Sequence, residues 1–272
     1  MSNACRFCGS TGRQITREHV WPLWLRDFLP KLTGPGYAER WSSTSGRERW
    51  QQKPLSATVR EFCEDCNSGW MSELEYAAKP IVGPMVAGQA VELDATAQET
   101  VAKWVALKGL VAVQTSPVPQ PIPEYHYRRV HHFQGPPPNT MRVWCGQWWN
   151  LAHPTRRNRA DLFDFHFMPV TNNLPRFPTS PFIEQYRREG GVFNGTIFRV
   201  GHFFALAFQH DWPGLRAGPK PLTPAADALL PVWPTGRTVR WPPPRPVDEL
   251  GDPHKITRVL MMAPPVVPVY SP

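Results

Sequence analysis

The chain has 272 residues, 41% of them hydrophobic, enough to bury a sizeable core in one large domain or in a small one joined to a larger one. Lys and Arg number 30 against 22 Asp and Glu, a formal net charge of +8 that is compatible with a polyanionic partner without requiring one. No apolar run reaches the roughly 18 to 20 residues of a membrane span and no apolar leader opens the chain, so a soluble, cytoplasmic protein without disulfides is expected.

In chain order, the first feature is a Cys-x-x-Cys pair, Cys5 and Cys8, matched by a second at Cys63 and Cys66. Zinc takes four soft or borderline ligands in a tetrahedron, and two such pairs supply two thiolates each. A structural zinc on Cys5, Cys8, Cys63 and Cys66 is expected, with reduced core cysteines or a redox pair as the alternatives. Four thiolates leave no open position, so catalysis would need other groups. Between the pairs, residues 13 to 16 read as a strand, and Glu18-His19-Val20-Trp21-Pro22 follows it. Trp21, Trp24, Leu25 and Phe28 then recur at helical spacing, which predicts a short amphipathic helix stopped by Pro30.

Residues 33 to 52 are polar and rich in Gly and Ser, and read as an exposed loop whose Arg40, Arg47 and Arg49 are solvated charge before they are phosphate contacts. Residues 67 to 79 predict a helix that starts at the second knuckle and ends at Pro80, followed by a turn or short strand over 81 to 91. Residues 96 to 113 carry the strongest helical pattern. Thr96 stands as its cap with Glu99 at the capping-box spacing, and Val101, Trp104, Val105, Lys108 and Val111 form a face assigned to the core.

Most of the 33 prolines lie from Pro117 onward, which favours short strands and ordered loops there, and 12 tryptophans in the chain argue against disorder. Apolar runs at 141 to 151, 162 to 170, 191 to 209 and 239 to 241 read as strands, with Phe163, Phe165 and Phe167 at period two and a turn near Gly201-His202. Residues 125 to 132 read as a solvated strand face. Arg156, Arg157 and Arg159 read as candidate phosphate contacts. Trp144, Trp148 and Trp149 divide between core and base stacking, and Cys145 packs as a small apolar group. The expected fold class is α+β: a small zinc-stapled unit over 1–80, a helical connector over 81–115, and a β-rich domain over 116–272 with a Pro-rich tail.

Together, Cys5-x-x-Cys8, Glu18-His19-Val20-x-Pro22 and Cys63-x-x-Cys66-Asn67 resemble the zinc-containing branch of the HNH endonuclease family over about the first 80 residues. The resemblance implies a ββα-metal fold, a hairpin and a helix around one divalent ion, and metal-dependent hydrolysis of phosphodiester bonds, with DNA as the expected partner. It implies Glu18 and Asn67 as ligands of a catalytic Mg²⁺ or Mn²⁺ and His19 as the general base. The chemistry is coherent with those roles. An imidazole suits proton removal from water near neutral pH, and oxygen ligands suit a hard cation. Side chains of adjacent residues on an extended segment diverge, so Glu18 and His19 can serve different tasks. The family often has an Asn or His just before the second knuckle to orient the base; Thr58 stands near that place. Arg17 and Arg60 are candidates to hold a phosphate or to pair with Glu61 or Glu64. The competing expectation is a zinc-stabilised nucleic-acid-binding or sensing module without catalysis.

Overall fold

In the computed structural model the described residues are 4–29, 37–42, 46–51, 55–115, 122, 124–132, 141–149, 163–170, 193–210, 216–219, 224–250 and 260–263. The arginines at 156, 157 and 159 lie outside them. Strand β1 (Ile15–His19) leads through a 3-10 turn (Leu23–Asp27) and a ribbon of β2 (Tyr37–Ser42) and β3 (Gly46–Gln51) to β4 (Thr58–Cys63). Helix α1 (Glu64–Cys66), a π-type turn (Asn67–Met71) and α2 (Ser72–Val86) continue directly from β4. Then come β5 (Val91–Leu93), α3 (Ala95–Ala112), a 3-10 turn (Val113–Thr115) and α4 (Glu124–His132). The remainder is β6 (Met141–Gln147), β7 (Phe163–Val170), β8 (Phe193–Val200), β9 (Phe203–His210), β10 (Arg216–Pro219), α5 (Pro224–Ala228), β11 (Leu230–Trp233), β12 (Val239–Trp241), a 3-10 turn (Val247–Leu250) and β13 (Leu260–Ala263). The fold class is α+β.

Two sheets position everything else. β1 and β4 form an antiparallel hairpin, with β-branched and aromatic residues Ile15, Thr16, Val59 and Phe62 suited to a pleated, half-buried surface. The larger sheet is five-stranded and antiparallel in the order β11-β6-β9-β8-β7. Its central strand β9 is apolar from Phe203 to Phe208 and buried throughout that run, as a strand covered on both faces must be. The β8–β9 turn falls on Gly201-His202, where the sequence places it. Gly201 has φ of +55°, and a Cβ there would stand 2.5 Å from the Val86 carbonyl oxygen. The His202 amide donates to that same carbonyl at 3.0 Å, so the turn is latched to the end of α2.

Helix α3 lies between the two sheets. Twelve of its eighteen residues are buried, which accounts for a sequence that is apolar well beyond one stripe. Trp104 meets Trp24 of the first unit and Phe198 and Phe203 of the large sheet at ring-centroid distances of 6.0, 5.7 and 6.1 Å. The buried side chains from Cys5 to Trp241 form one contiguous cluster, so the three expected segments share a core.

Several local expectations are corrected. The cap of α3 is Asp94, whose carboxylate accepts from the Ala97 amide at 2.8 Å; Thr96 sits inside the first turn. Helix α2 runs through Pro80 and Pro84 instead of stopping at 79. The carbonyls those prolines leave unmatched belong to Tyr76 and Pro80, both exposed, while Val82, Met85 and Val86 are driven into the core. Gly83 is required there, since a Cβ would stand 2.3 Å from the Phe28 ring. The segment after Trp21 is a 3-10 turn, not an α-helix. Residues 37 to 51 contain a two-stranded ribbon where a loop is expected, because Tyr37, Trp41 and Trp50 favour strand within an otherwise polar stretch. Residues 124 to 132 are helical: His126, Tyr127 and Val130 turn inward at helical spacing, and Glu124 and Arg128 pair at 3.4 Å one turn apart. Trp144 and Cys145 are buried, Trp148 lies under the Arg199 guanidinium, and Trp149 is exposed.

Candidate functional site

The four paired cysteines come together. Cys5 and Cys8 sit on a knuckle closed by the Gly9 amide donating to the Cys5 carbonyl at 2.7 Å, with Gly9 at φ of +73°. Cys63 is the last residue of β4 and Cys66 the last of α1, so the second knuckle is the strand-to-helix corner itself. All four Sγ atoms lie within 4.8 Å of one another, with Cys5–Cys66 at 3.8 Å and Cys8–Cys63 at 3.7 Å. A tetrahedron with Zn–S bonds of about 2.3 Å has S···S edges of about 3.8 Å. The separations therefore fit zinc, and they are far too long for disulfides. The Cys66 thiol and the amides of Cys63, Cys8 and Phe7 hold the Cys5 thiol down to about 4 against its burial, and Cys66 is raised in turn. Burial raises Cys63 as well, so four thiolates can stand together here only around a cation.

The clamp is braced from three sides. Phe7 stacks on Phe62 at 4.6 Å and meets the edge of Trp70 at 5.0 Å. Arg6 pairs with Glu61 at 3.1 Å, and Arg13 pairs with Asp65. Helix α4 closes over it, with His131 against Trp70 and Arg128 against Gly9.

From this clamp the hairpin and helix carry the remaining candidates. A bulge between Thr16 and Glu18 resets the register so that Glu18 faces Val59 and His19 faces Thr58. Glu18 turns inward and is 8% exposed, while His19 stays half-buried; the two adjacent side chains diverge. The residue opposite His19 across the hairpin is thus Thr58. The His19 ring makes no hydrogen bond to any described residue. Asn67 donates its amide to Thr16 Oγ1 at 3.0 Å and to the Arg17 carbonyl at 3.1 Å, tying the first helical turn to β1. Its Oδ1 has no donor among the described residues.

Arg17 and Arg60 are exposed and carry no ion pair among the described residues; Glu61, a possible partner, is taken by Arg6. Beside β4 lies an open groove of about 360 Å³ lined by Ser56, Thr58, Arg60, Gln114 and Thr115.

Two residues to which the sequence reading gave no functional part lie beside Glu18. Lys108 of α3 is wholly buried, and its Nζ donates to Glu18 Oε1 at 2.9 Å and to the His19 carbonyl at 3.3 Å. It also pairs with Glu75 of α2. Burial raises the Glu75 carboxyl and is opposed by Lys108, and the two carboxylates hold the Lys108 ammonium above its ordinary value despite complete burial. A lysine inside an otherwise apolar helical stripe is the signal that could have found it, because a buried ammonium demands a carboxylate partner. Nothing in the sequence marks Glu75. As donors, the Glu18 carboxylate and Asn67 Oδ1 are the hard oxygens a Mg²⁺-like ion takes, with the qualification that one Glu18 oxygen already rests on Lys108.

Comparison with protein families, with curated proteins and with solved structures finds no match to this chain. Among the described residues no helix is long and apolar enough to cross a membrane.

Proposed function

We propose that the protein is a metal-dependent endonuclease of the HNH type, hydrolysing phosphodiester bonds of DNA. The observation that carries this reading is the hairpin-and-helix unit bolted at one corner by four cysteines, which presents His19 half-exposed on β1 while Asn67 ties the helix to the same strand. In this reading zinc on Cys5, Cys8, Cys63 and Cys66 is structural. Glu18 and Asn67 Oδ1 would hold the Mg²⁺ or Mn²⁺, which supplies Lewis-acid stabilisation of the phosphate charge. His19 takes the proton of the attacking water, a task suited to an imidazole whose ring makes no hydrogen bond among the described residues. Arg17 and Arg60, exposed and unpaired among the described residues, flank the hairpin face where a phosphate would lie. The net charge of +8 favours the approach of a polyanion.

The test is cleavage of plasmid DNA by zinc-loaded protein with and without added Mg²⁺ or Mn²⁺. Nicking should require the added ion, and His19→Ala should abolish it while retaining about one equivalent of zinc. Full activity in His19→Ala would remove the base assignment.

One observation favours a second reading. Because the Lys108 ammonium already occupies Glu18, the unit also suits a zinc-stabilised nucleic-acid-binding module without turnover. That reading predicts DNA affinity unaffected by Glu18→Ala and no cleavage with any divalent ion.

A further inference from the structure

Lys108 is a cation already resting on the carboxylate that the nuclease reading gives to a divalent ion. Its setting differs from that of an ordinary buried ion pair in two respects. First, one ammonium needs one carboxylate for neutrality, yet Lys108 has two, Glu18 from β1 and Glu75 from α2. Second, the two anchors come from different elements and both keep slight access to water, the Glu18 side chain 10% exposed and that of Glu75 20%. Glu18 precedes half-buried His19 at the hairpin end, and the lysine reaches its carboxylate from the packed helix α3. The α3 backbone around residue 108 is enclosed by the core, so any movement belongs to the flexible lysine stem. If Glu18 turns toward another cation, Glu75 still neutralises the ammonium, and no uncompensated charge is left buried.

We propose that Lys108 is a resident counter-ion that competes with a divalent cation for Glu18, the ion being admitted only when Lys108 shifts wholly onto Glu75. The proposal rests on the assignment of Glu18 as a ligand in the nuclease reading, and it adds a gate to that site. Glu75 is then the alternative seat that makes the exchange possible. The His19 carbonyl, which also accepts from Lys108, links the gate to the backbone of the base.

The experiment is Mn²⁺ binding to the zinc-loaded full chain, read from the electron paramagnetic resonance signal of free Mn²⁺. Lys108→Met removes the competitor. Lys108→Met with Glu75→Gln does so without leaving two carboxylates facing one another, and keeps the formal charge of the wild-type trio. Each Lys108-less protein should bind Mn²⁺ about tenfold or more tightly than wild type, and adding Glu18→Gln should erase the gain. Glu75→Gln alone should weaken Mn²⁺ binding, because Lys108 then has only Glu18. Equal, Glu18-dependent binding in wild type and the Lys108 variants, or unchanged binding in Glu75→Gln, overturns the gate and leaves the Glu18 assignment standing. Absence of Glu18-dependent binding in every protein overturns both.

Discussion

Replacing Lys108 by Met tests whether the trio at the centre of the site is held by charge. Methionine keeps much of the bulk of the lysine stem, so the change reports mainly on the ammonium. What remains is two carboxylates, their side chains 10% and 20% exposed, with no cation between them. Removing one partner of a buried pair costs about 3–5 kcal/mol, and the slight solvent access of Glu75 favours the lower end. Against a total stability of about 5–15 kcal/mol, that is a large fraction. The triple variant Lys108→Met, Glu18→Gln, Glu75→Gln carries no charge at these positions and should recover to within about 1 kcal/mol of wild type. Urea denaturation of the zinc-loaded proteins, followed by tryptophan fluorescence, measures both. A loss under about 1 kcal/mol in the single variant, or a triple variant as unstable as the single, would refute the charge argument.

Gly201→Ala should cost about 2 kcal/mol, from a positive φ and from the Cβ that would press on the Val86 carbonyl; the same urea titration reads it. His126 is lowered to about 4 by burial and then by Arg129, so it folds neutral. Its contribution is complete above the unfolded value of about 6.5 and is lost as pH falls from there toward 4. About 1 kcal/mol should go between pH 7 and 5.5, and His126→Phe should lack that portion of the acid-side loss. X-ray absorption of the zinc-loaded protein should show four sulfurs at about 2.3 Å, and a strong chelator should lower the melting temperature, because the clamp joins β1, β4 and the start of the helix.

What could be read in advance was what neighbouring residues decide among themselves. The two knuckles are legible because thiolate spacing is local chemistry, and their long separation in the chain closes through the β1–β4 pairing. The β8–β9 turn, β12 and the extent of α3 follow from runs of apolar residues and from glycine at a position that needs it. Helix α2 running through two prolines was not legible, since the burial of Val82, Met85 and Val86 against distant residues outweighs a local stop signal. The same holds for α4: Tyr127 and Val130 turn inward, Tyr127 against Phe7 and Arg6 of the cysteine clamp, a contact that the polar sequence around them does not reveal. Glu18, His19 and Asn67 stand out in the sequence by their place beside the cysteines, but the groups that Glu18 and Asn67 touch do not. A lysine in an apolar stripe announces that some carboxylate must meet it. That Glu18 and Glu75 are the ones, and that the cation on Glu18 in this fold is an ammonium, was decided only when α3 docked across the hairpin and α2, bringing residues 90 positions apart into one buried ion pair.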